Sequence, residues 1–220
     1  PVEKTKGTLT VAFGRFNPPH LGHLQLMDTA AASAEQESSD YMIVPSRSQD
    51  AKKNPLDADT KVTIMRQMFP QHSERIANDV STRTIFDVLK KAHNDGYANV
   101  RIVGGADRVK EFEKLSNNYN GNLYNFDNIE VVSAGDRDPD SDGVEGLSAS
   151  RMRLAAAEND FNTFRSGMPP ELKRSDAKVI FDMVRNSMGI QDEVVESWRI
   201  APKFNYQILR ENYVNNKIFQ

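Results

Sequence analysis

Apolar positions along the chain follow two periods in turn. "TLTVAF" (Thr8 to Phe13) is a β-rich run that stops at Gly14, and from His20 to about Ala34 the residues Leu21, Leu24, Met27 and Ala31 recur at helical spacing. "YMIVP" (Tyr41 to Pro45) reads as a strand, Asp57 to Phe69 as a helix with an acidic start, and Ser81 to His93 as a capped helix. "NVRIVGG" (Asn99 to Gly105) reads as a buried strand ending in glycines, followed by a helix from about Asp107 to Leu115 and a short strand, Ile129 to Ser133. Strands alternating with helices at this spacing predict a doubly wound α/β sheet of about five parallel strands joined by right-handed crossovers. In such sheets ligands bind beyond the carboxyl ends of the strands.

The pattern then changes. Ala134 to Gly146 is a loop by composition, and from Ser148 onward the reading is helical: Ser150 to Glu158, Asp160 to Ser166, Asp176 to Met188 and Asn205 to Lys217. This predicts an α/β domain over residues 1–170 and a helical extension or arm over 171–220. The extension holds the only tryptophan, Trp198, and several aromatics. It is a candidate for covering the core, for pairing subunits in a homo-oligomer or other assembly, or for a free arm.

Composition narrows the chemistry. A hydrophobic fraction of 38% with 27% charged residues suits a soluble globular chain of 220 residues, and a formal net charge of -3 argues against a generic nucleic-acid partner. The absence of cysteine excludes disulfides, thiolate metal sites and a thiol nucleophile. There is no apolar run of about 18 residues and no charged-then-apolar leader, so no membrane partner is expected and a cytoplasmic location is. Pro1 at the start reads as the product of initiator-methionine removal.

"GRFNPPHLGHLQL" (Gly14 to Leu26) places two of only four histidines three residues apart at a strand-to-helix junction. If Pro18 and Pro19 hold the chain extended, His20 and His23 fall in the first helical turn, beside its unpaired amides and at the positive end of its dipole. With Arg15 nearby, this is a place for the oxygens of a polyphosphate. Gly22 lets a flat ring approach the backbone. A zinc site would need a third ligand, and His72 and His93 lie in unrelated contexts.

The segment Gly14, Arg15, Phe16, Asn17, Pro18, Pro19, His20, Leu21, Gly22, His23 resembles the HxGH signature of the nucleotidylyltransferase superfamily, in the form closest to nicotinamide mononucleotide adenylyltransferases. "LSASRMR" (Leu147 to Arg153) is similar to the second signature of that superfamily, ISSTxxR, with Leu147, Ala149 and Ser150 as departures. On physical grounds Ser148 and Ser150 supply hydroxyls and amides at a helix start, with Arg153 one turn in. Lys52 to Phe69 resembles the KNPL segment and its helix, and "GGAD" (Gly104 to Asp107) looks like the GxD turn that holds a nucleoside. The resemblance covers roughly Leu9 to Pro170.

What the resemblance implies is a Rossmann-like fold and transfer of AMP from ATP to a phosphate-bearing acceptor, in the setting of NAD biosynthesis, with magnesium travelling on the nucleotide rather than on protein side chains. It implies catalytic roles for His20, His23 and Arg153, and nucleotide or phosphate contacts from Gly14, Arg15, Phe16, Asn17, Gly22, Gly105, Asp107, Ser148 and Ser150. Lys53 is implied as an acceptor contact. By itself Asp107 also reads as a helix cap. Other acceptors are phosphopantetheine or a cytidylyl-transfer substrate, although Arg15 and Asn17 count against both. A structural protein that keeps a nucleotide pocket is the reading from another class. "DPDSDG" (Asp138 to Gly143) opens like a calcium loop, but its twelfth position is Ala149 rather than glutamate, which leaves a solvated loop.

Overall fold

Strand β1 (Lys6–Gly14) is flanked on both sides. The computed structural model describes residues 2–135 and 148–190, and in it β1 pairs in parallel with β2 (Asp40–Pro45) and β3 (Tyr97–Gly104), while β3 pairs in parallel with β4 (Asn128–Ser133). The order is β2-β1-β3-β4. The sheet is the expected α/β Rossmann-like one, with four strands among the described residues rather than about five. Each segment read as a strand forms one, and the sequence offered no fifth.

The helices are α1 (Leu21–Gln36), α2 (Ala58–Met68), α3 (Ile85–Asn94), α4 (Ala106–Asn118), α5 (Ala149–Ala157), α6 (Phe161–Ser166) and α7 (Arg174–Ser187), with a 3-10 turn at Pro70–Arg75. Successive strand residues point to opposite faces. Leu9, Val11 and Ile102 therefore join one core with Val88, Leu89 and Phe112 of α3 and α4, while Ala12, Ile43 and Val103 join a second with α1, α2 and α5 to α7. The chain leaves β1 toward β2 on one side and returns to β3 on the other. The loops after β1 and β3 thus diverge and open a crevice at the topological switch point.

The division expected after residue 170 falls inside one compact unit that extends to Gly189. The reason is the stripe Ala177, Ile180, Phe181 and Val184, which buries α7 in the second core, where Phe164 and Phe181 meet edge to face at 5.1 Å. Arg185 of α7 donates to the Ala156 carbonyl at the end of α5. Leu147, the Asp138 to Gly143 loop, Trp198 and the helix expected over Asn205 to Lys217 lie outside the described residues.

Candidate active site

The loop from β1 to α1 turns sharply. Phe16 adopts φ 47°, the left-handed region that costs a bulky residue of order 1 kcal/mol or more, and the Asn17–Pro18 peptide is cis rather than part of a plain extended run. Complete burial of the Phe16 ring against His23, at 4.8 Å between centroids, holds this conformation.

His20 is the N-cap of α1, with extended backbone at φ -156°, so it precedes the first turn in which it was expected. The two histidines cap reciprocally: the Gly22 N–H donates to His20 Nδ1 at 3.1 Å, and the His20 N–H donates to His23 Nδ1 at 3.1 Å. The His23 N–H donates to the His20 carbonyl, and the Leu21 N–H to Gly167 O at 2.9 Å. The amides expected to be unpaired at this helix start are therefore used within the protein. With Nδ1 accepting on each ring, the neutral tautomer carries its proton on Nε2, and the positive helix end is relayed through the imidazoles.

A cavity of about 540 Å³ opens at the carboxyl ends of β1 and β3. It brings together Gly14, Arg15, Phe16, Asn17, His23, Lys53, Gly105, Asp107, Ser148, Ser150 and Arg153. His20 and Gly22 are not on its wall: His20 is fully buried, its ring 3.8 Å from that of His23. The volume is that of a nucleotide-sized pocket.

Positive charge dominates the cavity wall. Arg153 donates through Nη1 to the Asn17 carbonyl at 2.8 Å and through Nη2 to Ser150 Oγ at 3.0 Å. Burial, and then the neighbouring Arg15, hold the Arg153 guanidinium below its ordinary range, with Asp50 partly opposing. Arg153 is partly buried and Arg15 exposed, and an anion placed between two like charges would be favourable to both. Ser148 Oγ caps α5 by accepting from the Arg151 N–H at 3.1 Å.

Lys53 is presented by a closed turn. Asp50 Oδ1 accepts from the Lys52 and Lys53 amides at 3.0 and 2.7 Å, and Asn54 Nδ2 donates to Asp50 Oδ2 at 2.7 Å. These bonds, the Lys53 amide first, hold the Asp50 carboxyl below the usual carboxylate range. Asn17 uses its amide on the Leu56 backbone, which makes it a strut between this turn and the helix start. On the β3 side Gly105, not Asp107, is the N-cap of α4, and Asp107 is left exposed on the cavity wall.

This site sits inside a recognisable domain, for the family model described as cytidylyltransferase-like matches residues 11–155, well over half of the chain. The chain belongs to the cytidylyltransferase-like family. This makes the protein a nucleotidyltransferase by family and fold. No curated protein matches it by sequence. Among solved structures it is similar to a protein from Vibrio parahaemolyticus assigned as a nicotinate-nucleotide adenylyltransferase, at 13% identity and a TM-score of 0.50, covering 79% of this chain and 98% of that one. That likeness bears on the fold.

Several residues of this cytidylyltransferase-like site escaped the sequence reading: Phe13, Leu26, Arg108 and Phe112 also line the cavity. The apolar three gave only a core signal, and Arg108 gave only that of an exposed helix face. Among the described residues no three of His, Cys, Asp and Glu group to hold a metal ion, and no helix is long and apolar enough to cross a membrane.

Proposed function

We propose that this nucleotidyltransferase moves an adenylyl group from ATP to the phosphate of nicotinamide or nicotinic acid mononucleotide, releasing pyrophosphate, as a step of NAD biosynthesis in the cytoplasm. The observation that carries the reading is the convergence of Arg15, His23, Lys53 and Arg153 on one cavity that also holds the Asp107 carboxylate. Four donors with one acceptor fit a molecule with several phosphate oxygens and a ribose.

An oxygen of the acceptor phosphate attacks the α-phosphorus in line. The new P–O bond forms as the bond to the bridging oxygen breaks, and that oxygen leaves with its electron pair on pyrophosphate. No enzyme nucleophile is required, so rate comes from positioning and from stabilising charge on the phosphate oxygens. His23 offers Nε2–H to the reacting phosphate, while His20 serves as the positioning residue that fixes the His23 ring and the helix start. Arg15 and Arg153 take the departing pyrophosphate, with Ser148, Ser150 and the backbone at Gly14 and Gly105 lining the phosphate path. Phe16 and Asn17 set the loop, Lys53 meets the acceptor, and Asp107 accepts from ribose hydroxyls. Gly22 is off the cavity wall, with its N–H committed to His20 Nδ1. Magnesium would be carried by the triphosphate and water.

The family's description favours one second reading, cytidylyl transfer. Pyrophosphate release with ATP or CTP, against nicotinamide mononucleotide, nicotinic acid mononucleotide and phosphopantetheine, decides between them. Turnover with ATP and a nicotinamide-type acceptor, lost in His23→Ala, is the expected result. Turnover only with CTP, or only with phosphopantetheine, replaces the assignment.

A further inference from the structure

Arg108 sits one residue beyond Asp107, in the first turn of α4, and its side chain forms part of the cavity wall. Its guanidinium carbon lies 5.3 Å from the centroid of the Phe112 ring, which is 3% exposed and also lines the cavity. Its Nε is 3.1 Å from Glu111 Oε2, so the fork is steered by a carboxylate at one edge. Gly104 makes room for this arrangement: a Cβ there would lie 3.0 Å from Phe112 Cε2 and 3.8 Å from Arg108 Cβ. The side chain is 42% exposed, so Phe112 covers part of the guanidinium and the remainder faces open space.

We propose that Arg108 is the base-stacking and base-selecting residue of the site, with the aromatic base of the nucleoside triphosphate lying on its guanidinium and completing a stack over Phe112. The assignment rests on the nucleotidyl-transfer reading of the cavity. It agrees with the order of groups along a nucleotide. Base, ribose and phosphates run in series, and Arg108, Asp107 and the pair Arg15 and Arg153 offer a stacking surface, a carboxylate acceptor and anion donors. A guanidinium stacks on aromatic faces, whereas an ammonium is a compact point charge. A purine covers more of that plane than a pyrimidine, so the platform favours ATP over CTP.

The test is equilibrium binding of the non-reacting α,β-methylene analogues of ATP and CTP to the full chain without acceptor, comparing wild type, Arg108→Ala and Arg108→Lys. Both variants are expected to weaken the ATP analogue roughly tenfold and the CTP analogue less, so that the preference between bases shrinks. In turnover KM for ATP rises while kcat falls by less than about threefold. Unchanged affinity in Arg108→Ala overturns the proposal, as does restoration by Arg108→Lys or an equal loss for both bases, which mark a plain charge contact. Wild-type protein that binds neither analogue overturns the nucleotidyl-transfer reading itself, a failure visible before any variant is compared.

Discussion

Asn17 and Leu56 are joined by two hydrogen bonds: Asn17 Nδ2 donates to the Leu56 carbonyl at 2.9 Å, and the Leu56 N–H donates to Asn17 Oδ1 at 3.0 Å. The Asn17 carbonyl in turn receives Arg153 Nη1. One residue that is 1% exposed thus ties the loop after β1 to the segment carrying Lys53 and to the helix carrying Arg153.

Replacing it should therefore damage both fold and site. Asn17→Ala leaves the buried Leu56 N–H and carbonyl without their partner, at about 1–3 kcal/mol for each. Urea unfolding should show a loss of roughly 2–6 kcal/mol. Asn17→Asp keeps the acceptor but sets a carboxylate oxygen against the Leu56 carbonyl, and should also destabilise. An alanine variant of wild-type stability would refute the strut.

Arg153 should act mainly on rate. Arg153→Ala removes a donor beside Arg15 and should lower kcat by about 10²-fold or more. Arg153→Lys cannot reach the Asn17 carbonyl and Ser150 Oγ as a fork, and should recover little of the loss. Steady-state pyrophosphate release measures both; full recovery by lysine would remove the bidentate geometry from the account.

The reciprocal cap fixes the histidine tautomers. Both rings accept at Nδ1, so in neutral His20 and His23 the proton sits on Nε2. Long-range nitrogen–proton correlation spectra of labelled protein should give the Nε2–H pattern for both. A Nδ1–H pattern at either ring would contradict the cap. His20→Ala should cost about 0.5–2 kcal/mol as a lost N-cap.

Lys61 gives a pH signature. It is fully buried in α2, its Nζ donates to the Ser46 carbonyl, and burial, then Arg47, push its pKa down to about 8 against a partial opposition from Asp57. Below pH 8 the charged form is present in both folded and unfolded chain, and its burial penalty is carried in full. Between about 8 and the unfolded value near 10.4 the native state releases its proton first, so this group makes stability rise with pH. The slope approaches 1.4 kcal/mol per pH unit at most. Urea midpoints measured from pH 7 to 9.5 should rise in wild type relative to Lys61→Met; parallel profiles would reject it.

How far the sequence revealed this molecule depended on whether a signal was local. The period of Leu9, Val11, Val100 and Ile102, and the glycines and prolines that end the runs, located every described strand. Cap residues such as Thr84, which with Asp87 starts α3 later than Ser81, shifted boundaries by a few positions. The cavity residues inside the two signatures were readable because glycine, histidine and serine are restrictive in those positions. His20 was misplaced because histidine seldom caps a helix, and only its extended backbone reveals it. The Asn17 and Leu56 partnership joins positions far apart in the chain, and no local pattern reports it. Arg108 was invisible for another reason: an arginine three residues before a glutamate looks like any solvated helix face until the Phe112 ring is placed beneath it. The apolar stripe of α7 was visible, but the core it would enter was not.

The bonds that cap α1 also bear on binding entropy. Imidazole rings normally lose rotameric freedom when a ligand captures them, and that loss weakens affinity. Here His23 is already locked by the His20 amide and by the rings of Phe16 and His20. Its contribution to any complex is thus largely spared the ordering penalty, and selectivity at that corner of the cavity comes from shape fixed in advance rather than from adaptation.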